Sequence, residues 1–369
     1  MSFTSLRMFI AGAAMATIFV FAVGVSFYPH TCPETVNIGS PVDDISFDKK
    51  TKVLIAGYWR SGSGFLGELF NQHPDAFYMV EPLNGYIYTP SFAVDVGKDG
   101  NPIPKNSYNM EDFYDSFASR TPAELSAILD SVFRCDFEQI HAGVLLHPVI
   151  RLSRAAYQFN FCVHWNGDNL AKCRPVISSI CQDSSLIALK EVYARFETVR
   201  IALNTVPDLK VIHLIRDPRA VMLSRRDRNM LSEGESMKDS AIRVCSMMLN
   251  DFQSFATMKQ DKGRVLTMFY EDLAVDPIKN AEKIYDFLEM PIPSNVKNWI
   301  KKGTRSKHNH SHKGWLSSTR KQNSTATAFA WKHRLRPGEI AEIDQACSLL
   351  YDALNYQYYK VVTSESQLA

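Results

Sequence analysis

The chain has 369 residues, 46% of them hydrophobic and 22% charged, with a formal net charge of +2. That balance suits a globular protein with one large core or two modest ones, and excludes a disordered, fibrous or collagen-like chain. The charge is unevenly placed: residues 301–336 carry ten Lys/Arg and no Asp or Glu. Such a run is commonly a solvated basic face, but 36 residues without an acid also suit an anionic partner.

Residues 1–7 form a short tail. Residues 8–28 hold no charge over 21 positions. At about 1.5 Å per residue they reach about 31 Å, enough to cross a hydrocarbon core of about 30 Å. The run ends in bulky Phe27-Tyr28 rather than a small-residue cleavage site, so it reads as an uncleaved anchor and not a signal peptide. Arg7 is the flanking cation, which favours the N-terminus inside and the rest of the chain in a lumen. Residues 29–50, with Pro33, Gly39, Ser40 and Pro41, read as a stem. A main domain is expected over 51–360 and a tail over 361–369.

A β-rich run, Val53-Leu54-Ile55-Ala56, then leads into Gly57-Tyr58-Trp59-Arg60-Ser61-Gly62-Ser63-Gly64. A helical pattern follows, with Phe65, Leu66, Leu69 and Phe70 on one side. Strand, small-residue loop and helix N-terminus together make an anion cradle, because glycines let backbone N–H groups approach a phosphate and the helix dipole favours negative charge. Arg60 adds a fixed positive fork, and Ser61 and Ser63 add hydroxyls. Gly62-x-Gly64-x-x-Gly67 matches the dinucleotide fingerprint, with Glu81 near the place of its ribose-binding acid. Gly57-x4-Gly62 partly matches a P-loop but lacks its Lys-Ser/Thr. The loop indicates an anionic nucleotide and leaves the chemistry open.

Residues 76–80 form a second predicted strand, ending at Glu81-Pro82. Residues 84–112 are rich in Gly, Pro, Asn and Tyr without a period, and are expected to be a loop-rich insertion on the substrate side. Thr121-Pro122-Ala123-Glu124 is a capping box opening a helix to about residue 133. Residues 162–181 look polar and irregular, and read as a disulfide-pinned loop. A buried strand over 186–190 precedes a helix through 203. Residues 209–215 are the strongest strand after the first, and lead to Arg216, then Asp217 as cap and Pro218 as helix start. A strand over 264–269, a helix over 278–288 and a final helix marked by Ile340, Ile343, Cys347, Leu350 and Leu354 complete the order. Alternating strands and helices predict an α/β fold, a parallel sheet with helices on both faces.

The seven cysteines, Cys32, Cys135, Cys162, Cys173, Cys181, Cys245 and Cys347, include no Cys-x-x-Cys pair. They suit up to three disulfides in a secretory lumen rather than a zinc or thioredoxin-type site. The sequons at Asn309 and Asn323 are usable in the same compartment. No metal is expected: His308, His310 and His312 alternate without a nearby carboxylate or cysteine.

Arg216 at a strand end and Ser224 on the following helix can hold a second phosphate; the alternative is a surface ion pair between Arg216 and Asp217. Two anion sites together suit a nucleotide phosphorylated at two separated places, and disfavour NAD and ATP.

At this point the residues meet a known pattern. Residues 60–70 with Glu81-Pro82-Leu83 resemble the phosphosulfate loop of Golgi carbohydrate sulfotransferases, in the galactose/N-acetylglucosamine/N-acetylgalactosamine 6-O-sulfotransferase group. Arg216-Asp217-Pro218-Arg219-Ala220-Val221 through Ser224-Arg225 resembles that family's 3′-phosphate site. Leu189-Lys190-Glu191, Tyr270-Glu271-Asp272-Leu273-Ala274 and the tail from Trp331 to Tyr356 follow its order, so the likeness spans about residues 52–356. Gly64 stands where the group leads one to expect serine, and Asn84-Gly85 where it leads one to expect an aromatic residue.

The resemblance implies a P-loop-like sulfotransferase fold, 3′-phosphoadenosine 5′-phosphosulfate (PAPS) as co-substrate without a metal, and a sugar hydroxyl of a glycan or proteoglycan as acceptor. It implies Arg60 and Glu81 as catalytic residues, Glu81 being the base. Arg60, Ser61, Gly62, Ser63, Gly64 and Phe65 are expected around the 5′-phosphosulfate, Arg216 and Ser224 at the 3′-phosphate, and Tyr270 near the adenine. Ser318 and Arg320 are expected in a late loop over the cofactor. The alternative for Glu81 is a structural carboxylate paired to Arg60. Location in the Golgi membrane as a single-pass type II protein, no nucleic acid partner, and a homodimer left open complete the expectation. A binder of acidic glycans, a lumenal nucleotide kinase and a tyrosylprotein sulfotransferase stand as rival readings.

Overall fold

Five runs of aliphatic and β-branched residues pair in parallel: β1 (Thr51–Ala56), β2 (Ala76–Val80), β3 (Leu186–Glu191), β4 (Leu209–Ile215) and β5 (Val265–Phe269), in the order β2-β3-β1-β4-β5. The computed structural model describes residues 50–87, 120–167, 169–231, 234–258, 263–303 and 323–356. The expected anchor, nearly all of the stem, Cys32, Asn309, Ser318 and Arg320 lie outside the described residues. Among those described, no helix is long and apolar enough to cross a membrane.

The strands read as near-continuous apolar runs because both faces of the sheet are covered. In β1, Val53 and Ile55 pack with Leu66, Leu69 and Phe70, whereas Leu54 and Ala56 join Leu129, Val132, Phe133 and Val199 in a separate cluster. A third cluster unites helices Pro218–Arg226, Met237–Thr257 and Pro337–Leu354, the last two joined by Cys245–Cys347. The predicted capping box is present: Thr121 Oγ1 accepts the Glu124 N–H, and the Glu124 carboxylate accepts the Thr121 N–H at 2.7 Å.

Two expectations are corrected. Residues 162–181 are not a loop: they belong to helices Tyr157–Trp165 and Leu170–Asp183, because Cys173, Ile177 and Cys181 fall at helical spacing on one buried face. Disulfides do pin this region, Cys162–Cys173 and Cys135–Cys181. Residues 84–87, expected to open a loop-rich insertion, are helical instead, within Pro82–Ile87 and with Pro82 in its first turn; residues 88–119 lie outside the described part.

Register decides what the fold can do. Ala56 stands opposite both Glu191 and His213, and Val80 opposite Lys190, so the carboxyl ends of β1 to β4 form one rim. The chain leaves β1 toward β2 and leaves β4 toward β5, on opposite sides of the sheet. Such a reversal between adjacent strands opens a crevice at their carboxyl ends.

Candidate active site

The β1 loop is folded around its own polar atoms. Gly57 N–H donates to Glu191 O at 3.0 Å, Tyr58 N–H to Ser61 Oγ at 3.1 Å, and Ser61 N–H to Tyr58 O at 2.9 Å. Ser61 is thereby fully buried, so its hydroxyl serves the turn rather than facing the crevice. Arg60 (φ 71°) and Gly62 (φ 86°) are both left-handed, which swings the chain from strand into helix Ser63–Asn71. For arginine that conformation costs energy and persists only where surrounding structure over-determines it. Phe65 N–H donates to Gly62 O, so the Phe65 amide also points inward. The amides of Gly62, Ser63 and Gly64 remain at a helix end without a side-chain cap, an arrangement suited to an anion. The replacement of an expected serine by Gly64 leaves this backbone donor intact.

Gly62 cannot carry a side chain. A Cβ there would lie 2.2 Å from Cδ2 of Tyr270, whose ring floors the loop. Gly62→Ala is therefore expected to cost on the order of 2–4 kcal/mol, from the left-handed φ and from overpacking. Thermal denaturation with and without the donor product checks this; a Tm within a degree or so of wild type would contradict it.

The second predicted anion site meets the first. Arg60 Nε donates to Ser224 Oγ at 2.9 Å, and Arg216 Nη1 donates to Arg60 O at 2.9 Å. The Arg216 guanidinium lies 4.4 Å over the Tyr270 ring, and its buried Nε has no hydrogen-bond partner. The Tyr270 ring thus touches both Gly62 and Arg216. The alternative pairing of Arg216 with Asp217 is overturned. Asp217 grips buried Arg219 at 2.9–3.0 Å and caps its own helix. Among the described residues neither Arg60 nor Arg216 forms an ion pair. Burial, with Arg228 and Arg216 nearby, pulls the Arg60 pKa down to about 10. Half-buried Arg60 and buried Arg216, neither in an ion pair among the described residues, together with the orphaned Nε and a glycine cradle, fit a bisphosphorylated ligand.

Glu81 ends β2 in a left-handed conformation, φ 45°. Its N–H donates to Lys190 O at 2.7 Å, its Oε1 accepts from Lys190 Nζ, and its Oε2 accepts from Asn84 Nδ2 at 3.0 Å. The alternative pairing with Arg60 is therefore replaced by one with Lys190. Lys190 was missed as a site residue; its signal is a lysine closing the otherwise apolar run Leu186-Ile187-Ala188-Leu189. The Asn84-Gly85 departure has a physical reason too. Asn84 holds Glu81, and a Cβ on Gly85 would meet Gly143 O at 2.2 Å, so glycine lets helices Pro82–Ile87 and Ala142–Leu146 touch.

Beside this pair, fully buried Glu191 accepts the Leu83 N–H at 2.8 Å, and burial raises its pKa to about 8. Between the ordinary carboxyl value of 4.5 and about 8 the folded protein holds a proton there that the unfolded chain releases, so stability falls as pH rises through that window. Glu191→Gln should flatten this slope in Tm against pH; an unchanged slope would contradict it. The loop is also braced from below. Tyr58 Oη donates to Asp251 Oδ2 at 3.1 Å, and Arg195 joins Asp251 (3.3 Å) to the carbonyl of Gly57 (3.5 Å). Sequence reasoning missed these residues because they come from distant elements.

The family description "Sulfotransferase domain" matches residues 50–356. Carbohydrate sulfotransferase 1 of Homo sapiens is 30% identical over 389 residues, covering 92% of this chain and 88% of that protein. Carbohydrate sulfotransferase 6 of Homo sapiens is 26% identical, covering 87% and 83%. Among solved structures, the sulfotransferase domain of the Synechococcus PCC 7002 olefin synthase aligns at 18% identity and TM-score 0.45, over 84% of this chain and 97% of that one. The chain belongs to the sulfotransferase family, in its carbohydrate sulfotransferase branch. It is a PAPS-dependent transferase.

Proposed function

We propose that this enzyme transfers a sulfuryl group from PAPS to a hydroxyl of a glycan or proteoglycan chain, at O6 of galactose, N-acetylglucosamine or N-acetylgalactosamine. The observation that carries the reading is the convergence at one rim of Arg60, Arg216 and Ser224, with the Glu81–Lys190 pair on the neighbouring strand ends. Bound PAPS supplies the activated sulfuryl group and a phosphate leaving group.

Arg60 and the amides of Gly62, Ser63 and Gly64 suit the 5′-phosphosulfate end, and Arg60 neutralises charge growing on the bridging oxygen. Arg216 and Ser224 suit the 3′-phosphate; Ser224 accepts from Arg60 and keeps its own O–H to donate. Glu81 takes the proton of the attacking sugar hydroxyl, with Lys190 and Asn84 fixing its two oxygens. Tyr270 holds the loop and Arg216 together. Ser318 and Arg320 are assigned to the cofactor by resemblance alone.

The same reading makes the protein a single-pass type II Golgi membrane protein with a lumenal catalytic domain. The apolar run over 8–28, the sequons and three disulfides support that compartment. The acceptor position is tested with 6-deoxy sugars: these should receive no sulfate, whereas 4-deoxy analogues should be sulfated. Equal transfer to the 6-deoxy acceptors would overturn the assignment to O6.

A further inference from the structure

Helix Tyr157–Trp165 presents three large aromatic rings to solvent: Tyr157 is 72% exposed, Phe161 55% and Trp165 71%. They stand at i, i+4 and i+8, so they lie on one face and span about 12 Å of helix rise. The Phe161 and Trp165 rings are 5.7 Å apart. Their common support is rigid, because Phe159 on the opposite face is fully buried and Cys162 is tied to Cys173 on the next helix. Exposed rings gathered this way mark an interaction surface.

The surroundings select the partner. Residues 139–167 contain two Arg, three His and no Asp or Glu. Arg151, Arg154, His164 and Lys172 are all exposed, and among the described residues neither Arg151 nor Arg154 forms an ion pair. A second copy of the chain meeting itself here would set these cations against their own images. A membrane surface is a poor match for a nine-residue helix with only three apolar rings exposed. An anionic glycan satisfies both features. The C–H face of a pyranose ring meets the electron-rich face of an aromatic ring, and sulfate or carboxylate groups meet the arginines.

The stripe also lies on the flank where the acceptor is expected. The turn Pro148–Leu152 lies against β2, the strand that ends at Glu81, and Asn71 ties Leu152 O (3.1 Å) and Arg154 N–H (2.9 Å) to helix Ser63–Asn71. His141 meets Tyr86 of helix Pro82–Ile87, ring centres 6.0 Å apart.

We propose that Tyr157, Phe161 and Trp165 form a platform, remote from the reacting hydroxyl, that binds further sugars of a sulfated glycan chain. This rests on the reading of the acceptor as a glycan. It is tested on the full chain with Tyr157→Ser, Phe161→Ser and Trp165→Ser combined, using a long keratan-type polymer and a disaccharide of the same repeat as acceptors. The KM for the polymer should rise about tenfold or more, while kcat, the KM for the disaccharide and the KM for donor stay at wild-type values. Equal effects on both acceptors, or no effect on either, would overturn the platform, as would a variant whose only change is loss of self-association in sedimentation. A wild-type protein that sulfates neither acceptor nor any other glycan would instead overturn the glycan reading itself.

Discussion

Glu81→Gln should lower kcat by about 10²–10⁴ and leave the donor product bound as tightly as in wild type. The amide keeps the size of the carboxylate but cannot take the proton of a sugar hydroxyl. The surroundings of Glu81 fix the position of its carboxylate. A left-handed backbone aims it, Lys190 holds Oε1 and Asn84 holds Oε2. Calorimetry with 3′,5′-bisphosphoadenosine and steady-state turnover separate the two effects. Unchanged kcat would remove Glu81 from the chemistry and leave it a structural partner of Lys190. The same variant discriminates against a non-catalytic glycan binder, in which binding would persist and there would be no turnover to lose.

Arg60→Ala has the second largest expected effect, a loss on the order of 10²–10³ in kcat together with weaker donor binding. Arg60 sits where the two proposed anion sites meet: its Nε binds Ser224 and its carbonyl binds Arg216. Its charge is already uncomfortable in the folded protein, with a pKa drawn down to about 10 by burial and neighbouring arginines. An arriving anion relieves that repulsion, so part of the binding energy is stored in the ligand-free protein. Arg60→Lys should recover little, because an ammonium cannot reproduce the planar fork that reaches Ser224. Stopped-flow turnover and donor titration check both variants. A lysine variant near wild type would show that charge alone suffices.

Much of this is legible in the order of residues. All five strands stand out because a doubly covered parallel sheet demands apolar runs, and Arg60 and Arg216 are recognisable as cations placed at two strand ends. What one dimension hides is pairing. Asp217 follows Arg216 directly yet turns to Arg219, because the helix it caps carries Arg219 into the same buried pocket. Glu81 finds Lys190 only because register sets Val80 beside it. The stretch between Cys162 and Cys181 reads as irregular because its helices expose one polar or aromatic face and spend their few apolar residues on the other. Tyr58, Asp251 and Arg195 carry no motif at all, and their bracing of the loop exists only after the chain has closed.

Labelled-sulfate transfer from PAPS to a panel of keratan- and chondroitin-type glycans bears most directly on the central claim. Wild-type protein should deliver label to a sugar O6, and Glu81→Gln should not, although both bind the bisphosphate product. Folded wild-type protein that binds that product yet labels no glycan in the panel would contradict the claim.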